Sequence, residues 1–169
     1  MISAIDQDVD LGVIATVISR CETDTVDLGA TLGAYLQQGD ILALEGNLGM
    51  GKTALARGLI RHLCGHKTVV TSPTFTLVQI YDAPNFPIWH CDLYRIETAD
   101  DAFEIGLEEA FADAVTLIEW PERLGSMLPE RRLRVRFLSE KIDGSRIVSL
   151  QGGADWLRRI EGLSTDGRP

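Results

Sequence analysis

The chain has 169 residues, a length typical of one domain with its own hydrophobic core. Hydrophobic residues make up 45% and charged residues 24% of the sequence, which excludes a largely disordered, collagen-like or coiled-coil chain. The net charge of −9 argues against direct binding of nucleic acid over a broad basic surface, because phosphate backbones repel an acidic protein.

Neither a membrane segment nor a secretion signal is predicted. No run of the sequence reaches the roughly 18 apolar residues that a membrane-spanning helix needs. The N-terminal segment MISAIDQDVDLG is acidic and has no basic residue, unlike a secretory signal. The cysteines Cys21, Cys64 and Cys91 are odd in number and widely spaced, which argues against a disulfide framework. We therefore expect a cytoplasmic protein with no membrane partner.

Apolar patterning and turn residues predict strands that alternate with helices. In chain order these are a strand over 13–18, a helix over 26–36, a strand over 41–44, a helix over 52–64, strands over 69–70, 75–81 and 88–91, helical segments within 98–111, a strand over 115–118, a helix starting near 121, strands over 133–138 and 146–150, and a helix over 154–163. Thr23, Asp24 and Thr25 are the expected caps of the first helix.

The alternation of strands and helices predicts a single α/β domain over residues 1–169. We expect a mostly parallel central sheet with antiparallel edge strands and flanking helices. The turn before the last strand is expected at Asp143–Gly144, and the tail 164–169 is expected to be disordered.

The segment Gly46–Thr53, GNLGMGKT, matches the pattern G-x-x-x-x-G-K-[ST] completely. It lies between a predicted strand and a predicted helix, where backbone N–H groups and the helix N-terminus can bind phosphate. In such a P-loop, Lys52 would contact the β- and γ-phosphates and Thr53 would ligate Mg²⁺. The guanine-reading pattern NKxD is absent from the sequence, which favours ATP or ADP as the nucleotide.

Two acidic residues stand at the ends of apolar strands. Asp92 follows the run 88–91, and Glu119 follows the run 115–118. Ligands collect at the carboxyl ends of parallel strands, and Mg²⁺ takes one or two protein carboxylates. Asp92 and Glu119 are therefore candidate metal ligands and, with Lys52, candidate catalytic residues. Thr74 joins the two carboxylates as a candidate for positioning water, and the sequence does not rank the three.

Other signals are weaker. His62 and His66 are interpreted as solvated residues near a helix end, and His90–Cys91 as strand packing. Trp120, next to a candidate metal ligand, could contact nucleotide or a partner. A basic stretch is interpreted as a solvated strand face, with RNA or an acidic partner as the alternative; it comprises Arg131, Arg132, Arg134 and Arg136.

Five short segments share their order and spacing with one known family. They are EGNLGMGKT (45–53), TSPTFTL (71–77), HCDLYR (90–95), EIGLEEAF (104–111) and IEWP (118–121). On these motifs the chain, from residue 23 to about 138, resembles the TsaE (YjeE) family, bacterial ATPases of the tRNA threonylcarbamoyladenosine pathway. It departs from the family pattern at Asn47 and Met50, where Asp and Ala are usual.

The resemblance implies a P-loop NTPase fold and an accessory ATPase that acts on the TsaD–TsaB complex. It would contribute to the modification of adenosine 37 in ANN-decoding tRNAs only indirectly, through that complex. The resemblance also implies that Asp92 is needed for ATP hydrolysis, that Glu119 is a metal ligand, and that Ser72 and Thr74 belong to a switch-like segment. The nucleotide-binding residues that it implies are Thr25, Leu48, Gly49, Met50, Gly51, Lys52, Thr53, Ala54 and Trp120.

Two other functions fit the same loop. A small-molecule kinase would also need an acceptor pocket and usually an arginine-bearing lid, and no such lid is evident between residues 60 and 120. A non-catalytic assembly factor would use bound nucleotide to order the segment 71–77 for a partner. Arg95 is the candidate for an arginine supplied in cis, and we expect slow hydrolysis by the isolated chain.

Overall fold

The strands at the centre of the sheet are mostly apolar and buried along nearly their whole length, because helices cover both faces. The computed structural model describes residues 11–139 and 145–163. The strands are β1 Gly12–Ser19, β2 Ile41–Glu45, β3 Val78–Asp82, β4 Pro87–Asp92, β5 Val115–Glu119, β6 Leu133–Ser139 and β7 Arg146–Gly152. The helices are α1 Glu22–Gly33, α2 Lys52–Cys64, α3 Ala99–Glu104, α4 Leu107–Asp113 and α5 Ala154–Ile160, with a 3₁₀ segment at Pro121–Met127.

The strands form one seven-stranded sheet in the order β1-β7-β6-β2-β5-β4-β3. The neighbours β6, β2, β5 and β4 are parallel, whereas β3, β7 and β1 pair antiparallel at the edges. This confirms the predicted single α/β domain with a mostly parallel centre. In the register of β4 and β5, Asp92 lies opposite Glu119, so both carboxylates stand at one edge of the sheet.

The two faces of the sheet bury two apolar clusters. Successive residues of a strand point to opposite faces, so Leu42 packs with Leu55 of α2 while Ile41 packs with Leu107 of α4. Complete burial of Cys91 in the second cluster raises the pKa of its thiol, which confirms the interpretation of this cysteine as strand packing.

Helices α1 and α2 approach each other closely at two glycines. A Cβ atom on Gly58 would lie 1.9 Å from the carbonyl oxygen of Val26, and one on Gly29 would lie 2.1 Å from that of Leu55. Backbone at both contacts fills the space that a side chain would need. These glycines therefore set the separation of α1 from the helix that follows the loop 46–51.

The structure corrects several predicted boundaries. Helix α1 begins at Glu22, so Thr25 lies inside the helix and caps nothing. Residues 69–70 form no strand, and β3 begins only at Val78, because the Leu77 N–H donates to the carbonyl of Pro73 at 2.7 Å and closes a turn. Helix α1 ends at Gly33 rather than near 36, and α5 ends at Ile160.

Two expectations fall on residues outside those described: the turn at Asp143–Gly144 and the state of the tail 164–169. Within the described ranges, no helix combines the length and apolar character needed to cross a bilayer.

We expect Gly58→Ala to destabilise the protein by about 1–3 kcal/mol, because α1 and α2 must separate to admit the new methyl group. Gly12→Ala is the matched control, since a Cβ there meets no atom within 4 Å. The measurement is urea unfolding followed by circular dichroism. Equal midpoints for the two variants would contradict the close approach of the helices.

Candidate functional site

A cleft of about 230 Å³ opens at the carboxyl ends of β2, β4 and β5. The predicted site residues in its lining are Leu48, Gly49, Met50, Gly51, Lys52, Thr53, Ala54, Asp92, Glu119 and Trp120, together with Thr74 and Ser72 of the switch-like segment. Glu22 and Arg57 also line the cleft and form an ion pair at 2.7 Å, and the sequence did not single them out. The structure thus brings nearly all of the predicted site residues into one cleft.

The loop between β2 and α2 needs glycine at particular positions. Gly51 has φ +108°, in the left-handed region, and a Cβ atom there would lie 2.6 Å from the Arg146 guanidinium. Gly46 has φ +145°, and its Cβ would lie 2.9 Å from that of Phe137 on β6. The glycines allow the backbone to curve tightly against its neighbours at the start of α2, where its unpaired N–H groups can receive an anion.

The Lys52 side chain bridges the two sides of this loop. Its ammonium group donates to the carbonyl oxygens of Gly46 and, at 3.0 Å, of Asn47. It also lies 4.3 Å from the centroid of the Trp120 ring. Burial lowers the pKa of Lys52, and the nearby carboxylates of Glu119 and Asp92 act in the opposite direction. The cleft therefore holds a largely buried lysine among acceptors and an aromatic face.

Oxygen ligands gather beside the lysine. The Thr53 hydroxyl donates to Glu119 Oε1 at 2.8 Å. Asp92 accepts from the Thr74 hydroxyl at 2.9 Å and from the Tyr94 N–H at 3.0 Å, so it is held by two donors. Hydroxyl and carboxylate oxygens are the donors that Mg²⁺ prefers, and Mg²⁺ usually leaves other positions to water and phosphate. The residues present fit a magnesium ion bound together with a phosphate ligand.

Among the described residues, no three His, Cys, Asp or Glu side chains converge as a metal cluster. His62 and His66 are exposed at the end of α2, as expected.

His90 is buried, as strand packing would require, but it also contacts a site residue, which its interpretation as strand packing did not predict. Its Nε2 lies 2.9 Å from Glu119 Oε1, and the side chain is fully buried. Residues two apart on a strand share a face, so the alternation of His90 with Asp92 was the signal that could have found it.

Arg146 on β7 is a second residue that sequence reasoning missed. Its guanidinium donates to the carbonyl of Met50 at 2.9 Å and so holds the loop from outside. Arg146 is 96 positions beyond Met50 in the chain, and no motif surrounds it. Only the pairing of β7 with β6 brings it to the loop.

Two non-glycine residues with positive φ flank the cleft. Leu77 has φ +64° and Trp120 has φ +60°. The Leu77 carbonyl accepts from the Asp92 N–H at 2.9 Å, and Trp120 directly follows Glu119 in the chain. The Trp120 ring also packs on Tyr94, with centroids 4.9 Å apart. Unfavourable backbone conformations of this kind concentrate at functional sites.

Thr25 and Arg95 do not line the cleft. The Thr25 hydroxyl is buried against Ser19 Oγ at 2.6 Å, and the Thr25 methyl group faces Gly51 from behind the loop. Arg95 donates to the Phe75 carbonyl at 2.8 Å, which attaches it to the segment 71–77.

The basic stretch is less solvated than predicted. Arg132 is buried, and Arg134 and Arg136 pair with Glu45 at 2.8 and 3.3 Å. Burial raises the pKa of Glu45 although both arginines oppose that shift. Two of the four arginines therefore serve an ion pair at the end of β2.

The sheet order, the glycine-rich loop before α2 and the acidic strand ends define the class: this chain has the P-loop NTPase fold. The model of the family "Threonylcarbamoyl adenosine biosynthesis protein TsaE" matches residues 19–148. The chain therefore belongs to the TsaE family, as its motifs predicted.

Individual relatives agree with this assignment. A TsaE protein of Rickettsia bellii is 42% identical over 118 residues, covering 70% of this chain and 82% of that protein. A TsaE protein of Treponema pallidum is 37% identical over 134 residues, covering 79% and 97%. The crystal structure of YdiB from Bacillus subtilis superposes with a TM-score of 0.74 at 28% identity, covering 88% of this chain and 92% of that one.

We expect Arg146→Ala to loosen the loop, because the Met50 carbonyl loses a hydrogen bond worth about 1 kcal/mol. Hydrogen exchange of the amides of residues 49–52 should speed up about fivefold. Arg158→Ala is the control, since Arg158 forms an exposed pair with Asp155. Equal exchange in the two variants would show that Arg146 does not hold the loop.

Proposed function

We propose that the protein is a magnesium-dependent ATPase that serves tRNA threonylcarbamoyladenosine biosynthesis. The observation that carries the proposal is the meeting of Lys52, Thr53, Asp92 and Glu119 in one cleft at the N-terminus of α2. The relatives at 37–42% identity bear the name of that biosynthesis, which supports the pathway. ATP and ADP are the nucleotides that we expect in the cleft.

The residues of the cleft divide the work of binding and hydrolysis. The N–H groups of the loop and the Lys52 ammonium would bind the phosphates and offset their charge. Thr53 and Glu119, and Asp92 directly or through water, would hold Mg²⁺, which supplies neutralisation of charge on the phosphate oxygens. Asp92, oriented by Thr74 and the Tyr94 N–H, would place the attacking water and accept its proton.

The coupling of Asp92 to the segment 71–77 supports a switch-like use of hydrolysis. Thr74 is hydrogen-bonded to Asp92 and to Ser72, at 2.9 and 2.7 Å. Loss of the γ-phosphate near Asp92 would therefore alter the conformation of that segment. We propose that this response acts on a TsaD–TsaB complex in the cytoplasm and reaches tRNA only through it. The net charge of −9 and the pairing of Arg134 and Arg136 with Glu45 favour a protein partner over RNA.

Lys52→Ala should weaken ATP binding about tenfold to a hundredfold, because a charge-assisted contact to phosphate is worth about 1.5–3 kcal/mol. Lys67→Ala is the control, since Lys67 is exposed and away from the cleft. Calorimetry with ATP and Mg²⁺ measures the affinity. Absence of detectable adenine-nucleotide binding by the folded wild-type chain would refute the proposal.

The pathway is tested with the same pair of variants in cells that lack the native gene. We expect Lys52→Ala to lower the threonylcarbamoyladenosine content of tRNA and Lys67→Ala to restore it. Unchanged content with well-expressed Lys52→Ala would contradict the assignment.

Asp92→Asn should lower ATP hydrolysis by at least about a hundredfold while nucleotide binding persists, because the amide cannot accept a proton from water. Asp82→Asn is the control: Asp82 is an exposed carboxylate at the end of the antiparallel edge strand β3. Release of phosphate in the presence of TsaD and TsaB is the measurement. Transfer of phosphate to a metabolite would favour a kinase, and tight binding without turnover would favour a non-catalytic assembly factor.

A further inference from the structure

The side chain of His90 makes one polar contact that a residue serving only to pack the sheet would not need. It is fully buried, and its Nε2 lies 2.9 Å from Glu119 Oε1. A carboxylate only accepts hydrogen bonds, so the imidazole proton at this contact belongs to Nε2. His90 therefore donates to Glu119 from beneath the cleft, where it does not itself line the surface.

The opposite side of the imidazole ring is left without a polar partner. Nδ1 of His90 is buried and accepts no hydrogen bond from the described residues. A buried polar side chain that satisfies only one of its two nitrogens costs stability, and an apolar residue at this position would avoid that cost. The contact with Glu119 is thus the feature that distinguishes His90 from an ordinary core residue.

The shared oxygen makes this contact informative. Glu119 Oε1 accepts from both His90 Nε2, at 2.9 Å, and the Thr53 hydroxyl, at 2.8 Å. A hydroxyl has one proton and two lone pairs, so Thr53 can ligate Mg²⁺ through its oxygen while its proton stays on Glu119. The donor from His90 does not depend on the loop, because β4 and β5 are neighbouring parallel strands.

We propose that His90 is a positioning residue for Glu119. Its Nε2–H, together with the Thr53 hydroxyl, holds Oε1 so that the other carboxylate oxygen can face the cleft. This inference rests on the proposed magnesium–nucleotide site and adds a residue to it. Donors that orient a ligating carboxylate typically contribute about tenfold to a hundredfold to metal affinity, and we expect a contribution of that size from His90.

Substitution of His90 by Gln or by Asn distinguishes this positioning role from a role in core packing alone. The side-chain nitrogen of Gln can occupy the place of Nε2, whereas that of Asn reaches only the place of Nδ1. We expect His90→Gln to keep most of the gain in ADP affinity that Mg²⁺ produces, and His90→Asn to lose about tenfold to a hundredfold of that gain. Affinity for ADP without Mg²⁺ should stay the same in both variants.

The experiment is calorimetry of ADP with and without Mg²⁺ on the full chain, with thermal unfolding of each variant. Ile88→Val is the control for packing, because Ile88 is buried on the same strand two residues away. Equal loss of the Mg²⁺-dependent gain in the Gln and Asn variants, or no loss in either, would overturn the role of His90.

Outcomes for the wild-type chain keep the two proposals apart. A wild-type chain that binds no adenine nucleotide refutes the proposed function itself. A wild-type chain that binds ADP equally well with and without Mg²⁺ leaves nucleotide binding intact and overturns the role of His90. Should His90→Asn fail to fold, His90→Leu is measured in its place, with the same loss expected.

Discussion

Parallel pairing of β2, β5 and β4 is the constraint on which the site depends, because it brings the carboxyl ends of three strands to one edge of the sheet. The loop 46–51 leaves the first of these strands, and Glu119 and Asp92 terminate the other two. Their register places the two carboxylates opposite each other. Hydrogen-bond donors to both carboxylates offset the repulsion between the two like charges. The two carboxylates of the cleft are thus placed by β4 and β5.

The surroundings of the cleft explain how the loop keeps its shape. Helix α1 packs against α2 through Gly29 and Gly58, and Phe137 of β6 closes on Gly46. Arg146 of β7 holds the Met50 carbonyl from the far side. These contacts come from helix α1 and from the two strands β6 and β7 on one side of β2. Rigid support of this kind is what a site needs in order to bind an anion without rearranging first.

A comparison of the expected and the observed elements shows where local pattern was sufficient. The helix over 52–64 and the strands that end at Glu119 and Asp92 are as predicted. Strands buried on both faces leave short continuous apolar runs, and Gly65 marks the end of the helix. The predicted starts of α1 and of the strand over 75–81 were wrong, since α1 begins at Glu22 and β3 at Val78. In the first case the backbone enters the helix without a side-chain cap, and in the second a turn at 73–77 replaces sheet pairing.

The candidate site divides in the same way between local and long-range information. Lys52 and Thr53 follow from a continuous motif, and Asp92 and Glu119 from their positions at strand ends, because each depends on a few neighbouring residues. For His90 the local pattern predicts strand packing rather than the contact with Glu119, and no local pattern marks Arg146.

The sequence by itself determined the class of loop and the family, since both are encoded in contiguous segments. Only the tertiary structure decided which side chains support them. Contacts such as Arg146 with Met50 or His90 with Glu119 join residues 96 and 29 positions apart, and strand order and register alone bring such residues together.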